Sequence, residues 1–266
     1  MEAVILAAGK GTRMHSKLPK VLHTVGNKPM LAHVIDSAAS AGAKKIHIVV
    51  GNDGKQVKDK IRSFTFQNKI SWVLQEEQLG TAHAVQKAIP SIGTKTQNEH
   101  ILVLYGDVPL IRPDTLRQLL ASTRANTIGI LTLITAKNSG LGRILRDESS
   151  EIIGIVEEKD ASDSQKEIQE VNSGIMALPV GQLKSWLGRI ERNNQQSEYY
   201  LTDIVALAVA EKVAISSVVV TNEPEVQGVN DKSQLVLVER HFQMTKSKAL
   251  LEKGVCLLYT SDAADE

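Results

Sequence analysis

Cysteine is nearly absent: Cys256 stands alone among 266 residues. One cysteine makes no internal disulfide, so the expected setting is cytoplasmic. Excess charge of either sign is also missing, with 31 basic against 30 acidic side chains and a net charge of +1. No global field therefore draws the chain to nucleic acid or to an anionic membrane, and any anion must be held by a local cluster. No apolar run reaches the length of a membrane span. The first residues lack the basic region and long apolar run of a secretory leader. Internal repeats and low-complexity tracts are missing as well. The seven histidines show no metal-ligand spacing such as H-E-x-x-H and read as structural or surface residues.

At 42% hydrophobic and 23% charged residues, the composition is that of a soluble globular protein long enough for a substantial core. Apolar runs at Val4–Ala8, Lys45–Gly51, Ser71–Gln75, His100–Pro109 and Thr127–Thr135 read as strands. Helical spacing falls between them: at Pro29–Ala41, from Gly51 to about Arg62, at about Thr81–Ile89 and from about Pro113. Continuous rather than alternating apolar strands, separated by helices, predict a Rossmann-like, doubly wound α/β fold with a mostly parallel sheet. From about Gly140 the rhythm changes. "GRILRD", "EIIGIVEE" and "VNSGIMALP" predict a small inserted antiparallel lobe. Helices return at Val180–Arg192 and Thr202–Lys212, a strand at Val213–Val220, and a long helical arm from Asp231 to about Lys253.

Ligands of such sheets sit beyond the carboxyl ends of the strands, so Gly9–Arg13, Gln75–Thr81 and Gly106–Val108 are the segments of interest. The first follows "AVILAAGKGTRM". Met14 stands where both a dinucleotide fingerprint and a P-loop would need glycine. What remains is a turn with two glycines, exposed amides and Lys10, Arg13, Lys17 and Lys20 close along the chain. Such a turn can cradle a phosphate chain; the alternative is a tight turn with solvated basic side chains. Asp107 ends an apolar strand that Pro109 stops, which places a carboxylate at the strand tips. Its alternative role is a turn cap. Asn230 precedes a helical pattern and could equally be that helix's N-cap.

"LAAGKGTRM" followed by "LPK" resembles the signature of the sugar-nucleotide pyrophosphorylases, the nucleotidyltransferase-like family. "WVLQEEQLGTAHA", "LYGDVPL", "GRI", "GIVEEKDA", "NSGI", "EYYLTDI" and "GVND" follow in order. Together, over about Met1–Lys253, they resemble the uridyltransferase domain of the bacterial N-acetylglucosamine-1-phosphate uridyltransferases. That resemblance implies uridylyl transfer from UTP to N-acetylglucosamine 1-phosphate. The products are pyrophosphate and UDP-N-acetylglucosamine, a precursor of peptidoglycan and lipopolysaccharide. It implies Mg2+ as cofactor, held by Asp107 and Asn230. It also implies catalytic roles for Arg13, Lys20 and Asp107, with Arg13 on the outer phosphates and Lys20 on the sugar-nucleotide phosphate. Leu6, Ala7, Ala8 and Gly9 would line the nucleotide, with Gln75 on the uracil edge, Gly80 and Thr81 close to the base, and Tyr105 and Gly106 beside Asp107. Gly142, Glu157 and Asn172 would hold the sugar.

The chain departs from the family at two places. Leu141 stands where an aromatic residue is frequent, and the stretch from Gly142 to Glu157 is one residue longer. By resemblance, residues 1–229 form the uridyltransferase domain and 230–255 a linker helix. The family's β-helix acetyltransferase repeats are not found, and "CLLYTSDAADE" at 256–266 reads as non-native sequence. The expected partners are small-molecule substrates, without nucleic acid or membrane. The expected state is a monomer or weak oligomer for this fragment and a homotrimer for the full-length enzyme. Two other readings remain open here: another sugar-1-phosphate nucleotidyltransferase, or a non-catalytic nucleotide-sugar-binding fragment.

Overall fold

The computed structural model describes residues 1–64, 70–93 and 99–257. Most of the "CLLYTSDAADE" tail, from Leu258 onward, lies outside them. The fold starts with β1 (Glu2–Ala7), a hairpin of β2 (Thr24–Val25) and β3 (Lys28–Pro29), then α1 (Met30–Ser40). Next come β4 (Ile46–Val50), α2 (Gly54–Ile61), β5 (Ile70–Leu74), α3 (Thr81–Ala88), β6 (His100–Tyr105), α4 (Pro113–Ser122) and β7 (Ile128–Ile134). The second half holds β8 (Arg143–Arg146), β9 (Ile152–Val156), α5 (Asp163–Lys166), β10 (Glu170–Pro179), α6 (Val180–Leu187), α7 (Asp203–Ala210), β11 (Ile215–Val220) and α8 (Lys232–Leu251).

The main sheet runs β11-β7-β10-β6-β1-β4-β5. β1 pairs in parallel with both β4 and β6 and is buried along its whole length. Successive side chains of a strand point to opposite faces. Accordingly Ala3, Ile5 and Ala7 join one hydrophobic cluster with Leu31, Val34 and Ile35 of α1, while Val4, Leu6 and Ala8 join a second with Ala84, Val85 and Ala88 of α3. This double burial is the reason for the continuous apolar runs. α1 ends where Gly42 takes a left-handed conformation, φ 101°, as a helix stop requires.

β10 extends beyond a peripheral lobe. Its first residues pair with β8 and β7, but Met176–Pro179 insert antiparallel to β6 in the main sheet, between β6 and β7. The register breaks between Asn172 and Met176, where Gly174 has φ 85°. β8 and β9 form the lobe proper, as an antiparallel hairpin joined to the sheet through Val171–Arg143. Buried Arg143 anchors it by an ion pair to Glu158.

A third, smaller cluster, Met14, Val25, Met30, Val229 and Val238, fastens the start of α8 to the opening turn and the β2–β3 hairpin. Phe242 packs against it and lies edge-on to His33, with ring centroids 5.5 Å apart. The hairpin's Gly26 has φ 55°, and a Cβ there would stand 2.1 Å from the Phe242 ring. Among the described residues no helix is long and apolar enough to cross a membrane.

Gly26→Ala is expected to lower unfolding free energy by about 2 kcal/mol, from left-handed strain plus the clash. In a Phe242→Ala background the same change should cost only about 1 kcal/mol, the backbone part alone. Urea unfolding of the two single variants and the double variant checks this.

Candidate active site

From β1 the chain continues to β4 on one side, and from β6 through α4 to β7 on the other. The β1–β6 boundary is therefore a switch point, where open α/β sheets bind ligands. A cavity of about 570 Å³ opens there. Among its walls are Leu6, Ala7, Ala8, Gly9, Lys20, Gln75, Gly80, Thr81, Tyr105, Asp107 and Asn230, all expected from the sequence.

The turn after β1 is held by both of its ends. Met14 is buried, and its N–H donates to the Gly11 carbonyl at 3.0 Å. Gly11 has φ 59°, and a Cβ there would lie 2.7 Å from the Lys20 Cβ. Glycine therefore lets the Lys20 stem cross the turn. The Lys20 ammonium reaches an ion pair with Asp107, both side chains being largely shielded at 12% and 14% exposure. It also donates to Asn230 Oδ1 at 3.1 Å. Asp107 therefore spends its carboxylate on Lys20 rather than on capping a turn. Asn230 is not the helix cap either, because Asp231 caps α8 by accepting from the Gln234 N–H at 2.8 Å. Arg13 is exposed and does not line the cavity. Gly106 lies behind the wall, where its N–H donates to the Leu6 carbonyl at 2.9 Å and a Cβ would press on Leu31, Val21 and Ala7 at 3.2–3.3 Å.

The opposite wall is the segment between β5 and α3. Gln75 is buried, with its N–H bonded to the Val50 carbonyl at 2.9 Å. Gly80 has φ 115°, and a Cβ there would meet the Tyr199 backbone at 2.5 Å. The Tyr199 N–H donates to Leu79, the Ala82 N–H to Tyr199, and the Leu201 N–H to the Thr81 hydroxyl, at 2.8–2.9 Å. The 198–201 segment thus braces this wall. Among the wall residues that the sequence did not single out are Gln78 and Glu198. Gln78 donates to the Ala8 carbonyl and ties the β5 loop to the end of β1. Glu198 joins it from the bracing segment. His83, read as structural or surface, contacts Gln75. No periodicity signals such contacts, which arise where loops meet.

Gly142, Glu157 and Asn172 do come together, although their neighbours Leu141 and Ser173 are the ones that line the cavity. The Asn172 N–H donates to the Gly142 carbonyl at 2.8 Å, and Glu157 Oε2 lies 3.4 Å from the Cβ position of Gly142. At the β10 irregularity the Gly174 N–H donates to Asn172 Oδ1 at 3.0 Å, and Gly174 faces the Tyr105 ring with no room for a Cβ. Burial, reinforced by Glu157 and Asp107, raises the Tyr105 pKa and keeps the phenol neutral.

Residues 3–160 match the family model for the MobA-like NTP transferase domain. The chain is 45% identical over 258 residues to the bifunctional protein GlmU of Pseudomonas paraeruginosa, covering 97% of this chain and 55% of that protein. It is 46% identical over 257 residues to the proteins of the same name from Pseudomonas putida and Pseudomonas entomophila, with the same coverage. The chain thus spans about half the length of the curated relatives it matches. A solved UDP-glucose pyrophosphorylase, complexed with UDP-glucose, superposes with a TM-score of 0.73. That match covers 92% of this chain and 98% of the other at 18% identity, and so speaks for the fold.

Behind the Gly142–Asn172 corner a smaller cavity of about 210 Å³ collects Glu157, Asp160, Glu191, Tyr200 and Asp203. Burial, opposed by the Thr202 hydroxyl that donates at 2.9 Å, raises the Glu157 pKa. Burial, with Glu157 and Asp160 nearby, raises Asp203 to about 6. A carboxylate with a raised folded pKa binds more protons folded than unfolded, so its contribution to stability is lost as pH rises toward 6. Asp203→Asn should therefore gain in melting temperature relative to the wild type as pH goes from 5 to 7.5. A constant difference across that range would refute the assignment.

Proposed function

The chain belongs to the MobA-like NTP transferase family, and from that premise we propose that it transfers uridylyl from UTP to N-acetylglucosamine 1-phosphate. A phosphate oxygen of the sugar phosphate attacks the α-phosphorus, the bond to the β-phosphate oxygen breaks, and pyrophosphate leaves. Attack at phosphorus needs no protein nucleophile; it needs positioning and charge neutralisation. The observation that carries the reading is the meeting of Lys20, Asp107 and Asn230 at the switch-point cavity.

In this reading the turn amides and Lys20 hold the phosphates, with Arg13 reaching in from the exposed side of the turn. Gln75, Gly80 and Thr81 receive the base. Gly142, Glu157 and Asn172 shape the sugar end, beneath Leu141. The similarity to the bifunctional GlmU proteins favours this substrate pair, and the expected setting is cytoplasmic, with small molecules as the partners.

The donor set suits a magnesium ion. It offers one carboxylate and one amide oxygen, with the remaining positions left to water and substrate phosphates. Both oxygens already meet one cation at the cavity wall, the Lys20 ammonium. When bound at Asp107 and Asn230, magnesium would neutralise charge on the phosphates and align the displacement.

Pyrophosphate release measured with each of the four nucleoside triphosphates, against a panel of hexose 1-phosphates, tests the proposal. UTP with N-acetylglucosamine 1-phosphate should be the best pair, and comparable turnover with a different base or sugar would overturn it. Asp107→Asn keeps a hydrogen-bond acceptor for the shielded Lys20 but removes the charge. It should lower kcat by about 10²–10³ with folding preserved. Combining it with Asn230→Ala should cost less than the sum of the two, because both act on one ion. Near wild-type kcat for Asp107→Asn at equal magnesium would refute the metal assignment.

A further inference from the structure

Gln75 carries the proposed base contact, and its amide orientation can be worked out from its neighbours. The residue is 3% exposed. Its Nε2 lies 3.2 Å from the Gly80 carbonyl oxygen and 3.1 Å from Nδ1 of His83. A carbonyl only accepts, so the group facing it is the amide nitrogen. That nitrogen carries two hydrogens: one goes to Gly80 and the other to His83. His83 Nδ1 must then be the bare nitrogen of a neutral imidazole. Desolvation by burial, with Lys87 nearby, lowers the His83 pKa and favours that state, while Glu77 opposes it through both its backbone and its charge. From the bracing segment, Tyr199 stands with its ring 6.3 Å from the imidazole, and Arg192 lies over the tyrosine.

With both amide hydrogens engaged, Gln75 has only Oε1 left to offer the cavity it lines, and that oxygen has no partner among the described residues. Gly80, at the N-cap of α3, lines the cavity beside it, and its N–H likewise has no partner among those residues. A glutamine read from sequence offers donor and acceptor alike; here it offers an acceptor alone, beside a backbone donor. Uracil presents the complement, the N3–H donor beside a carbonyl oxygen. Cytosine presents the reverse at that edge, with a bare N3 beside an amino group. A buried mismatch of this kind leaves polar groups unpaired and is strongly disfavoured.

We propose that His83 is a specificity-positioning residue. By accepting the second amide hydrogen of Gln75, it leaves Oε1 as the only polar atom of that side chain facing the cavity, and so sets the preference for uracil over cytosine. The inference rests on the uridylyl-transfer reading above, in which Gln75 meets the base. His83 itself touches no substrate. Without it the amide is held by Gly80 alone and can turn a donor toward the ring.

The test compares His83→Phe, His83→Asn, His83→Gln and Gln75→Ala in the full chain. The readouts are kcat and KM for UTP and CTP, and the binding of each nucleotide by isothermal titration. Asparagine places its oxygen near the position of Nδ1, whereas glutamine places it near Nε2. His83→Phe and His83→Gln should each lower the UTP-over-CTP preference by about tenfold, the worth of one hydrogen bond to a buried amide. The change should appear in KM and in the binding constants, with kcat for UTP nearly unchanged. His83→Asn should keep most of the preference, and Gln75→Ala combined with His83→Phe should be no worse than Gln75→Ala alone. The aromatic variant's melting temperature shows whether it folds; if it does not, the asparagine and glutamine pair alone decides. If Gln75→Ala loses the preference while His83→Gln keeps it, the inference falls and the uridylyl-transfer reading stands. If the unmodified chain does not prefer UTP, that reading falls and takes the inference with it.

Discussion

One ammonium group holds the site together. Lys20 Nζ meets a carboxylate 87 residues away and an amide oxygen 210 residues away. The pair with Asp107 is largely shielded from water, where a charge without a partner is costly. Much of the surrounding sequence serves that meeting. Gly11 gives the lysine stem room, buried Met14 pins the turn, β6 delivers Asp107, and the Val229 N–H donates to the Asp107 carbonyl at 2.9 Å, seating Asn230 beside it. A lysine suits the position because its ammonium is a compact charge on a flexible stem. It can hold two oxygens together and still turn toward a phosphate.

The other wall carries an acidic residue, Glu198, and no cation among the described residues. It is built from backbone, with Gly80 and the 198–201 segment interlocked so closely that no side chain fits between them. The cavity therefore has an electrostatic side and a hydrogen-bonding side, which suits a ligand with phosphates at one end and a base at the other. The segment that braces the hydrogen-bonding side leads directly into Thr202, which holds Glu157 beside the Gly142–Asn172 corner. The proposed base and sugar ends thus share one support.

How far the site could be read from sequence follows from the range of the forces involved. β1, β4 and β6 are buried on both faces, so their apolar runs declare them, and the helices between successive main-sheet strands from β1 to β6 account for the parallel order. Asp107 stood out because an apolar strand stops there at a proline. Asn230 stands just before a helical pattern, where an N-cap is expected; in three dimensions Asp231 takes that role. β10 misled, because its polar first half and register break resemble the short strands of a lobe, whereas its apolar second half completes the main sheet. His83 was invisible as a partner of Gln75. It lies eight residues further on, in a helix, and a loop with a left-handed glycine brings the two together.

The position of β10 also governs the order in which the sheet can be completed. β6 and β7 are separated in sequence by α4 alone, yet in space a whole strand lies between them, and that strand comes after residue 169. A nascent chain that has emerged only as far as residue 160 would hold β1, β4, β5 and β6 as a partial sheet, with β7 lacking both of its neighbours. Its β7, nearly continuous in buried aliphatic side chains, would wait with two open edges, the state most exposed to wrong pairing during synthesis. Closure comes late, from a strand threading between two others, and long-range pairings of that kind are slow to form. The matched family segment, residues 3–160, ends before the strand that closes its own sheet, so the unit that folds is larger than the unit the family model marks.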